Sequence, residues 1–266
     1  MKVLNADELL TVWEQGLHQP LLRRSLILLA AAFPEIPADR LSHLSIGQRD
    51  GLLMQLRECL FGQTLLNTAV CPACDERIEW QNDLSDFLLL PDQDPIPQGS
   101  FELESGGYQL LFRLPNSLDV AAVINGHPIQ ESQLDQSQSS LQSQFSSQYH
   151  SQQLQLLSRC LLQIEQEGRG CDFDALPDAV LQVLTDQLEA LDPQADIRLN
   201  LTCPECAHAW TVLFDIASFL WTEVNEWAER MLQTVYRLAA GYGWSEQEIL
   251  RLSPVRRQLY LGLMGA

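Results

Sequence analysis

Apolar and polar positions in the first third of the chain recur with the spacing of amphipathic helices. The stretch "ADELLTVWEQGLHQPLLRRSLILLAAAFP" predicts two helices, because its helical pattern is interrupted between Gly16 and Pro20. A third helix is predicted to open near Ser45 or Gly47 and to end at Gly62. The positions expected on its buried side are Leu52, Leu53, Leu56 and Leu60, with Cys59 as a core thiol.

The central part mixes short alternating runs with helical ones. The run "FELESGGYQLLFRLP" predicts a β-hairpin that turns at Gly106 and Gly107, and "NSLDVAAVI" predicts a helix capped by Asn116 or Ser117. Two more amphipathic helices are predicted in "LQLLSRCLLQIEQEG" and "LPDAVLQVLTDQLEALDP", and a strand in "ADIRLNLTC". Cys160 is expected in the core, whereas no role is predicted for the loop residue Cys171.

The segment from Gln130 to Gln153 consists mainly of Gln and Ser. It cannot bury enough apolar surface to order itself, so we predict a flexible insertion over residues 130–153. The segment is either an expanded surface loop or a docking arm. The first alternative is favoured because long polar loops accumulate at protein surfaces.

The C-terminal part predicts one long helix followed by two short ones. The long helix, "ASFLWTEVNEWAERMLQTVYRLAAGYG", is followed by a capping box from Ser245 to Glu248 and by a last helix capped at Ser253. Three arginines in this part either pair with an acidic partner or are solvated or bonded within the chain; they are Arg251, Arg256 and Arg257. The second alternative is favoured because exposed charges usually contribute little.

Two stretches with a Cys-Pro-x-Cys motif repeat each other 132 positions apart. They are "VCPACDERIEWQNDLSDFL", from Val70 to Leu88, and "TCPECAHAWTVLFDIASFL", from Thr202 to Leu220. In each, a cysteine turn precedes a short alternating strand and an Asp that opens a helix. The matched pairs include Cys71 with Cys203, Cys74 with Cys206, Ile78 with Trp210, Trp80 with Val212, Asp83 with Asp215 and Phe87 with Phe219. We interpret the stretches as an internal repeat paired about a pseudo-two-fold axis.

The four cysteines of the repeat predict one metal site. Cys71, Cys74, Cys203 and Cys206 supply the ligand set of a closed tetrahedral zinc site, so we predict about one structural Zn²⁺ per chain. Ordinary buried cysteines and a redox-active Cys-x-x-Cys pair are the alternatives, but redox chemistry gives no reason for a duplication. His208 is an alternate ligand, a group behind the ligands or, as the matching Glu76 favours, a solvent-facing strand residue.

The charge balance narrows the classes of partner. The chain of 266 residues has a formal net charge of −19, and nucleic-acid binders normally carry a basic face. Its first residues lack the pattern of a signal peptide, and no apolar run approaches the ~20 residues of a membrane span, so we expect a soluble, cytoplasmic protein without membrane insertion. Seven cysteines in such a protein suit metal ligands and buried thiols better than disulfides.

The sequence contains no motif typical of an enzyme. A phosphate-binding loop, a nucleophile elbow, a zinc-protease helix and a dinucleotide fingerprint are all missing, and the five histidines are scattered. We therefore expect neither catalysis nor a small-molecule substrate.

The elements together predict an α+β protein that is mostly helical, with two zinc-ribbon knuckles and short strands. Its expected parts are an N-terminal helical region (1–66), a first knuckle repeat (67–90), an inserted hairpin and helical region (91–196), a second knuckle repeat (197–220) and a C-terminal helical region (221–266).

The order of these parts resembles the T4-type bacteriophage baseplate protein family. The resemblance is carried by "LLTVWEQGLHQPLLRRSLILLAAAFPE", by "LSIGQRDGLLMQLRECLFG" running into "CPAC", and by "FRLPNSLDVAAV", "CPEC" and "YGWSEQEILRLSPVRRQLYL". It covers nearly the whole chain except the Gln/Ser segment. The chain is similar above all to zinc-ribbon-bearing members from gene clusters for contractile injection systems, which are phage-tail-like particles.

This resemblance implies a non-enzymatic structural or assembly protein of a contractile baseplate. Its partners would be other baseplate, hub or tail proteins, and it would remain in the cytoplasm or become part of the assembled particle. The alternative is a zinc-ribbon adaptor that binds nucleic acid or the transcription machinery.

Overall fold

The computed structural model describes residues 1–87, 99–126 and 150–264. As predicted, the protein is α+β and mostly helical, with three small sheets in the described ranges. It divides into two compact units: unit 1 comprises Met1–Leu41, Leu52–Thr64 and Asp215–Ala266, and unit 2 comprises Ser42–Gly51 and Leu65–Phe214. Within the described ranges, no helix has both the length and the apolar composition that crossing a bilayer requires.

The elements follow one another in a mixed order of helices and short strands. They are α1 (Ala6–Gly16), α2 (Leu21–Ala32), α3 (Ala38–His43), α4 (Ile46–Phe61), β1 (Thr64–Val70), β2 (Arg77–Asp83), β3 (Phe101–Ser105), β4 (Tyr108–Phe112), α5 (Ser117–Gly126), α6 (residues 150–160), β5 (Leu161–Gln166), β6 (Arg169–Gly170), α7 (Asp178–Leu191), β7 (Arg198–Thr202), β8 (Ala209–Leu213), α8 (Ile216–Tyr242), α9 (Glu246–Leu250) and α10 (Pro254–Leu263).

Unit 1 is a helical body built around the long helix α8. The predicted N-terminal helix pair is present as α1 and α2, and α8 ends at Gly243, whose φ of 70° suits a glycine C-cap. The capping box of Ser245 and Glu248 and the Ser253 cap are both formed. The apolar core of this unit includes Leu10, Ala228, Met231, Val235, Leu238 and Ile249.

Helix α4 buries Leu53 and Leu56 as predicted and half-buries Leu52 and Leu60, but its buried side also includes Arg57 and leaves out Cys59. Arg57 is buried, with 2% of its surface exposed, whereas Cys59 is exposed, so the prediction of a core thiol at Cys59 is wrong. Residues two positions apart point to nearly opposite sides of a helix, because each residue turns it by about 100°. The guanidinium of Arg57 donates to both carboxylate oxygens of Glu223, at 2.9 and 2.7 Å. This ion pair keeps Arg57 on the buried side of α4.

Unit 2 contains a sheet with the strand order β3-β4-β5-β6. The predicted hairpin is present as β3 and β4, and it turns at Gly106 and Gly107 with φ values of 58° and 82°. One side of this sheet packs on helices, and the shared core includes Tyr108, Leu110, Phe112, Leu157, Val180 and Leu184. The predicted helix over residues 178–191 is α7.

The helix predicted for "LQLLSRCLLQIEQEG" is correct only in its first part. It is helical as far as residue 160, where Cys160 is fully buried as expected, but Leu161–Gln166 form the strand β5. Antiparallel pairing with β4, which sets Leu110 opposite Ile164, overrides the local helical spacing. Of the segment expected to be flexible, residues 130–149 lie outside the described residues, and residues 150–153 are helical.

The start of α5 is fixed by a network of charged and amide groups. Asn116 caps the helix as predicted, since its Oδ1 accepts from the amides of Leu118 and Asp119. Burial alone would raise the pKa of Asp119, but hydrogen bonds from the Arg113 guanidinium, the Asn116 amide and Arg159 together outweigh it and hold that pKa below its ordinary value. Asp119 is therefore a buried carboxylate that stays ionised.

A second buried carboxylate caps the start of α4. The amide of Gly47 donates to Asp192 Oδ2 at 2.9 Å, and Asp192 is only 2% exposed. Burial raises the pKa of this carboxyl. The close approach requires glycine, because a Cβ at residue 47 would lie 2.0 Å from Asp192 Oδ1 and 3.0 Å from the amide nitrogen of Ala195.

We predict opposite effects for two glycine-to-alanine substitutions in α4. Gly47→Ala is expected to lower the free energy of unfolding by about 1–3 kcal/mol, because the new methyl group overpacks the Asp192 site. Gly51→Ala is the matched control: a Cβ there has no atom within 4 Å, so helix propensity should stabilise the protein by about 0.5–1 kcal/mol. Urea unfolding of both variants measures the difference, and equal effects would contradict the prediction.

Candidate metal centre

The two Cys-Pro-x-Cys motifs lie in the turns of two separate two-stranded sheets. The first turn joins β1 to β2 and the second joins β7 to β8, with Thr202 opposite Ala209 at the base of the second turn. Both turns belong to unit 2, although a long stretch of chain separates them. The alternation of half-buried and exposed positions along β2, β7 and β8 gives each of these strands one inward side.

The two turns have the same backbone hydrogen bonds. The amide of Cys71 donates to the carbonyl of Glu76 at 2.8 Å, and the matching amide of Cys203 donates to the carbonyl of His208 at 2.9 Å. The amides of Asp75 and Ala207 each donate back to the first cysteine of their motif at 3.0 Å. The repeated sequence thus folds into repeated turns.

Each turn places one residue in the left-handed region of φ. Asp75 has a φ of 58° and Ala207 a φ of 57°, so the two turns agree within a degree at this unusual position. A non-glycine residue rarely adopts this conformation, and it marks a backbone that its surroundings determine.

The sulfur atoms of the four cysteines form one cluster. All four Sγ atoms lie within 4.8 Å of one another, and the separations of Cys71 from Cys206 and of Cys74 from Cys203 are both 3.6 Å. A tetrahedron with metal–sulfur bonds of about 2.3 Å has edges of about 3.8 Å. The cluster therefore has the dimensions of a four-thiolate metal site, and none of the four cysteines forms a disulfide.

The turns supply amide donors to the sulfurs. Burial opposes ionisation of Cys71, but hydrogen bonds from the amides of Ala73 and Cys74 outweigh it and lower the pKa of that thiol to about 7. The amide of Glu76 favours ionisation of Cys74, but the neighbouring sulfurs of Cys206 and Cys203 raise its pKa to about 12. One thiolate is thus favoured and further ones repelled, which is the charge distribution that a bound cation would relieve.

The donor set determines what such a site could do. Four soft sulfur ligands suit zinc or another thiophilic cation, and they fill every position of a tetrahedron. No coordination position would remain open for a substrate or a water, so the arrangement suits a structural ion and not a catalytic one.

His208 contributes its backbone and not its side chain to the turn. Its imidazole is exposed and stacks on the ring of Trp210, with 6.0 Å between the ring centroids. The amide of His208 donates to the sulfur of Cys206, as the amide of Glu76 does to Cys74. Of the three alternatives for His208, the structure favours the solvent-facing residue, although His208 lies just before β8 and not within it.

Residues outside the motifs also connect the two repeats. The rings of Phe87 and Phe214, which follow β2 and β8, lie 4.4 Å apart, and Gln194 donates to the carbonyl of Phe87 at 2.9 Å. The matching positions Leu65 and Ile197, just before the motifs, are both buried. Holding the offset of 132 constant across the residues before each motif would have found this last pair.

The first repeat differs from the second after its strand. Asp83 is followed by a 3-10 turn, Leu84–Asp86, whereas Asp215 caps the 27-residue helix α8 by accepting from the amide of Ala217. The helix predicted for the first repeat is thus a single turn as far as residue 87, and residues 88–98 lie outside the described ranges. The remaining cysteines stand apart from the cluster: Cys160 is buried, Cys171 is half-buried and Cys59 is exposed.

Comparison with known proteins gave one match. A family model described as T4 bacteriophage base plate protein matches residues 26–221, which is most of the chain and includes both cysteine turns. No curated protein and no solved structure matches the chain.

Proposed function

Because the chain belongs to the T4 bacteriophage base plate protein family, we propose that it is a structural or assembly protein of a contractile, phage-tail-like baseplate. It acts by binding other baseplate, hub or tail proteins and not by catalysis. The observation that carries the proposal is the family match over residues 26–221, which spans the sheets, the inserted helices and both cysteine turns.

The second part of the proposal concerns the four cysteines. Cys71, Cys74, Cys203 and Cys206 bind one structural Zn²⁺ per chain, and the sulfur separations of 3.6 Å support this stoichiometry. Once bound, the ion would offset half of the negative charge of the four thiolates and join the two sheets. The amides of the turns orient the sulfurs and share their charge, as hydrogen bonds behind metal ligands do elsewhere.

A baseplate protein of this kind gains from such a site in a specific way. The strands on either side of the two turns are only five to seven residues long. Two-stranded sheets of this size bury too little apolar surface to be stable alone. A metal compensates for a small core, as it does in other small domains. The site therefore lets short strands form a rigid part on which binding surfaces can be placed.

We predict that the chain forms a stable complex with at least one baseplate subunit. The test is to co-express it with each hub, wedge and sheath protein from its own gene cluster, and to measure co-purification and stoichiometry by size-exclusion chromatography with light scattering. A subunit that forms no part of the tail serves as control. Failure to bind any tail subunit would contradict the proposal.

The same purified protein separates the proposal from a nucleic-acid adaptor. An adaptor must bind DNA or RNA at low salt and lose affinity as the salt concentration rises. With a net charge of −19, we expect no retained DNA or RNA in a gel-shift titration at low salt. Salt-sensitive retention would instead favour the adaptor.

A further inference from the structure

A groove in unit 1 lies among the start of α1, the end of α4 and helices α8 to α10. Its volume is about 620 Å³, and we call it the Arg257 groove. Its lining includes Leu4, Leu9, Phe61, Trp227, Leu250 and Arg257. Nine of the fourteen lining residues are apolar and five are polar or charged, so the groove suits apolar side chains beside a charged group.

Arg257 differs from the other buried arginines in the described residues. Arg49 pairs with Asp50 at 2.7 Å and Arg57 pairs with Glu223 at 2.7 Å, whereas Arg257, which is 5% exposed, forms no ion pair within those ranges. Buried charges are normally paired, because an isolated charge loses its hydration without compensation. The chain has 35 Asp and Glu residues, so the absence of a carboxylate partner for Arg257 among the described residues is unusual.

The hydrogen bonds of Arg257 use only part of its donor set. Its Nη1 donates to the carbonyls of Leu250 and Leu252, at 3.2 and 2.8 Å. Nε and Nη2 have no hydrogen-bond partner among the described residues. Burial lowers the pKa of this guanidinium, yet an arginine remains charged in proteins. The carbonyls thus orient a cation whose remaining N–H groups are available to a carboxylate.

We propose that the Arg257 groove binds a segment of another baseplate subunit, in which one Asp or Glu side chain pairs with Arg257 and flanking apolar side chains fill the walls. The argument is charge complementarity, because a carboxylate would satisfy the free donors of a guanidinium in a fork geometry. Exposed Arg251 also lines the groove and adds positive charge. The inference rests on the proposed function for the identity of the partner.

Other residues of the groove agree with an occupant from outside the chain. Asp7, an exposed carboxylate in the first turn of α1, also lines the groove but forms no ion pair with Arg257. A volume of about 620 Å³ suits a few side chains of a docked segment. A second copy of this chain is a poorer partner, because two chains of charge −19 repel each other.

The test combines site-specific crosslinking with charge substitutions in the full chain. A photoreactive benzoylphenylalanine replaces the exposed groove residue Gln247, and a matched control replaces Gln233, an exposed residue of α8 that does not line the groove. Each variant is co-expressed with the individual tail subunits of the same particle. We expect crosslinks to one subunit from position 247 only, within a peptide that has Asp or Glu beside apolar residues.

Affinity measurements then identify the pairing. Arg257→Met should weaken binding at least tenfold, because it removes one member of a buried charge pair. Changing the crosslinked acid of the subunit to its amide, in a separate variant, should weaken binding by a similar factor. Arg257→Lys should recover part of the loss, and both changes together should cost no more than either alone. If Arg257→Met lowers the melting temperature of the chain, its weaker binding is no longer evidence for the pairing. The acid-to-amide change in the partner and the exposed Arg251→Gln then test the groove, because both leave Arg257 in place.

Three results would overturn the inference. They are unchanged affinity after the acid-to-amide change, crosslinks only to a second copy of this chain, and a groove that binds acetate or inorganic phosphate alone while no subunit crosslinks. If tail subunits still co-purify in these cases, the proposed function stands and only the groove is wrong. If no tail subunit binds the unmodified chain, both fail.

Discussion

Replacement of Cys71 by Ser is expected to abolish stoichiometric zinc binding and to lower the melting temperature by about 10 °C. Cys71 is fully buried and its sulfur lies 3.6 Å from that of Cys206, so the variant removes one of four ligands from the interior of the cluster. A serine hydroxyl is a far weaker zinc ligand than a thiolate, and three cysteines alone leave one coordination position of the metal open to water.

The size of the effect follows from the chain that the cluster closes. Cys74 and Cys203 are 129 positions apart, and a crosslink across a loop of that length reduces the entropy of the unfolded chain by the equivalent of about 4–5 kcal/mol. A protein of this size shifts its melting temperature by about 2–4 °C per kcal/mol. Removing the zinc with a chelator should therefore have the same effect as the substitution.

Metal analysis of the purified chain and calorimetric unfolding test this prediction together. Cys59→Ser is the matched control, since Cys59 is exposed on α4 and stands apart from the cluster. It should retain about one zinc per chain and an unchanged melting temperature. A Cys71→Ser protein that unfolds like the unmodified chain, or an unmodified chain that is folded without metal, would refute the zinc site.

Replacement of Arg57 by Met is expected to lower the free energy of unfolding by about 3–5 kcal/mol. The side chain of Arg57 is 3% exposed, and it donates to the carbonyls of Gly62 and Thr64 as well as to Glu223. The variant leaves the Glu223 carboxylate and two carbonyls without their donor. The cost is mainly that of the half-buried Glu223 carboxylate, which loses its partner, and not of the ion pair itself.

A surface pair provides the comparison. Arg230 and Glu226 form an ion pair at 3.3 Å on α8, with both side chains more than half exposed, so Arg230→Met should change the stability by less than about 1 kcal/mol. Chemical denaturation of both variants measures the difference. A loss below about 1 kcal/mol for Arg57→Met would mean that the pair is hydrated in solution.

The sequence was informative where local chemistry repeats. Two cysteine motifs at a constant offset predicted that four sulfurs would meet, because a single motif cannot complete a tetrahedron, and the structure brings Cys71, Cys74, Cys203 and Cys206 together. Helix ends were equally readable, since the caps at Asn116, Ser245 and Ser253 depend on residues only two or three positions away.

The sequence misled where a distant partner decides the outcome. Residues 161–166 keep a helical spacing of apolar side chains, but they form β5 because β4 offers a free edge. Charged residues are expected at the surface, so the burial of Arg57, Asp192 and Arg257 could not be read from composition. Each is buried because specific carbonyls, amides or carboxylates from other elements surround it.

The cluster also determines how a pulling force would pass through unit 2. With an ion bound, tension applied between the β1–β2 sheet and the β7–β8 sheet would run through four metal–sulfur bonds, because these connect the sheets over a few ångströms. The chain between Cys74 and Cys203 would then carry little of that load, through the contact of Phe87 with Phe214. The inserted region would thus be able to change its shape or bind a neighbour while the two sheets keep their separation.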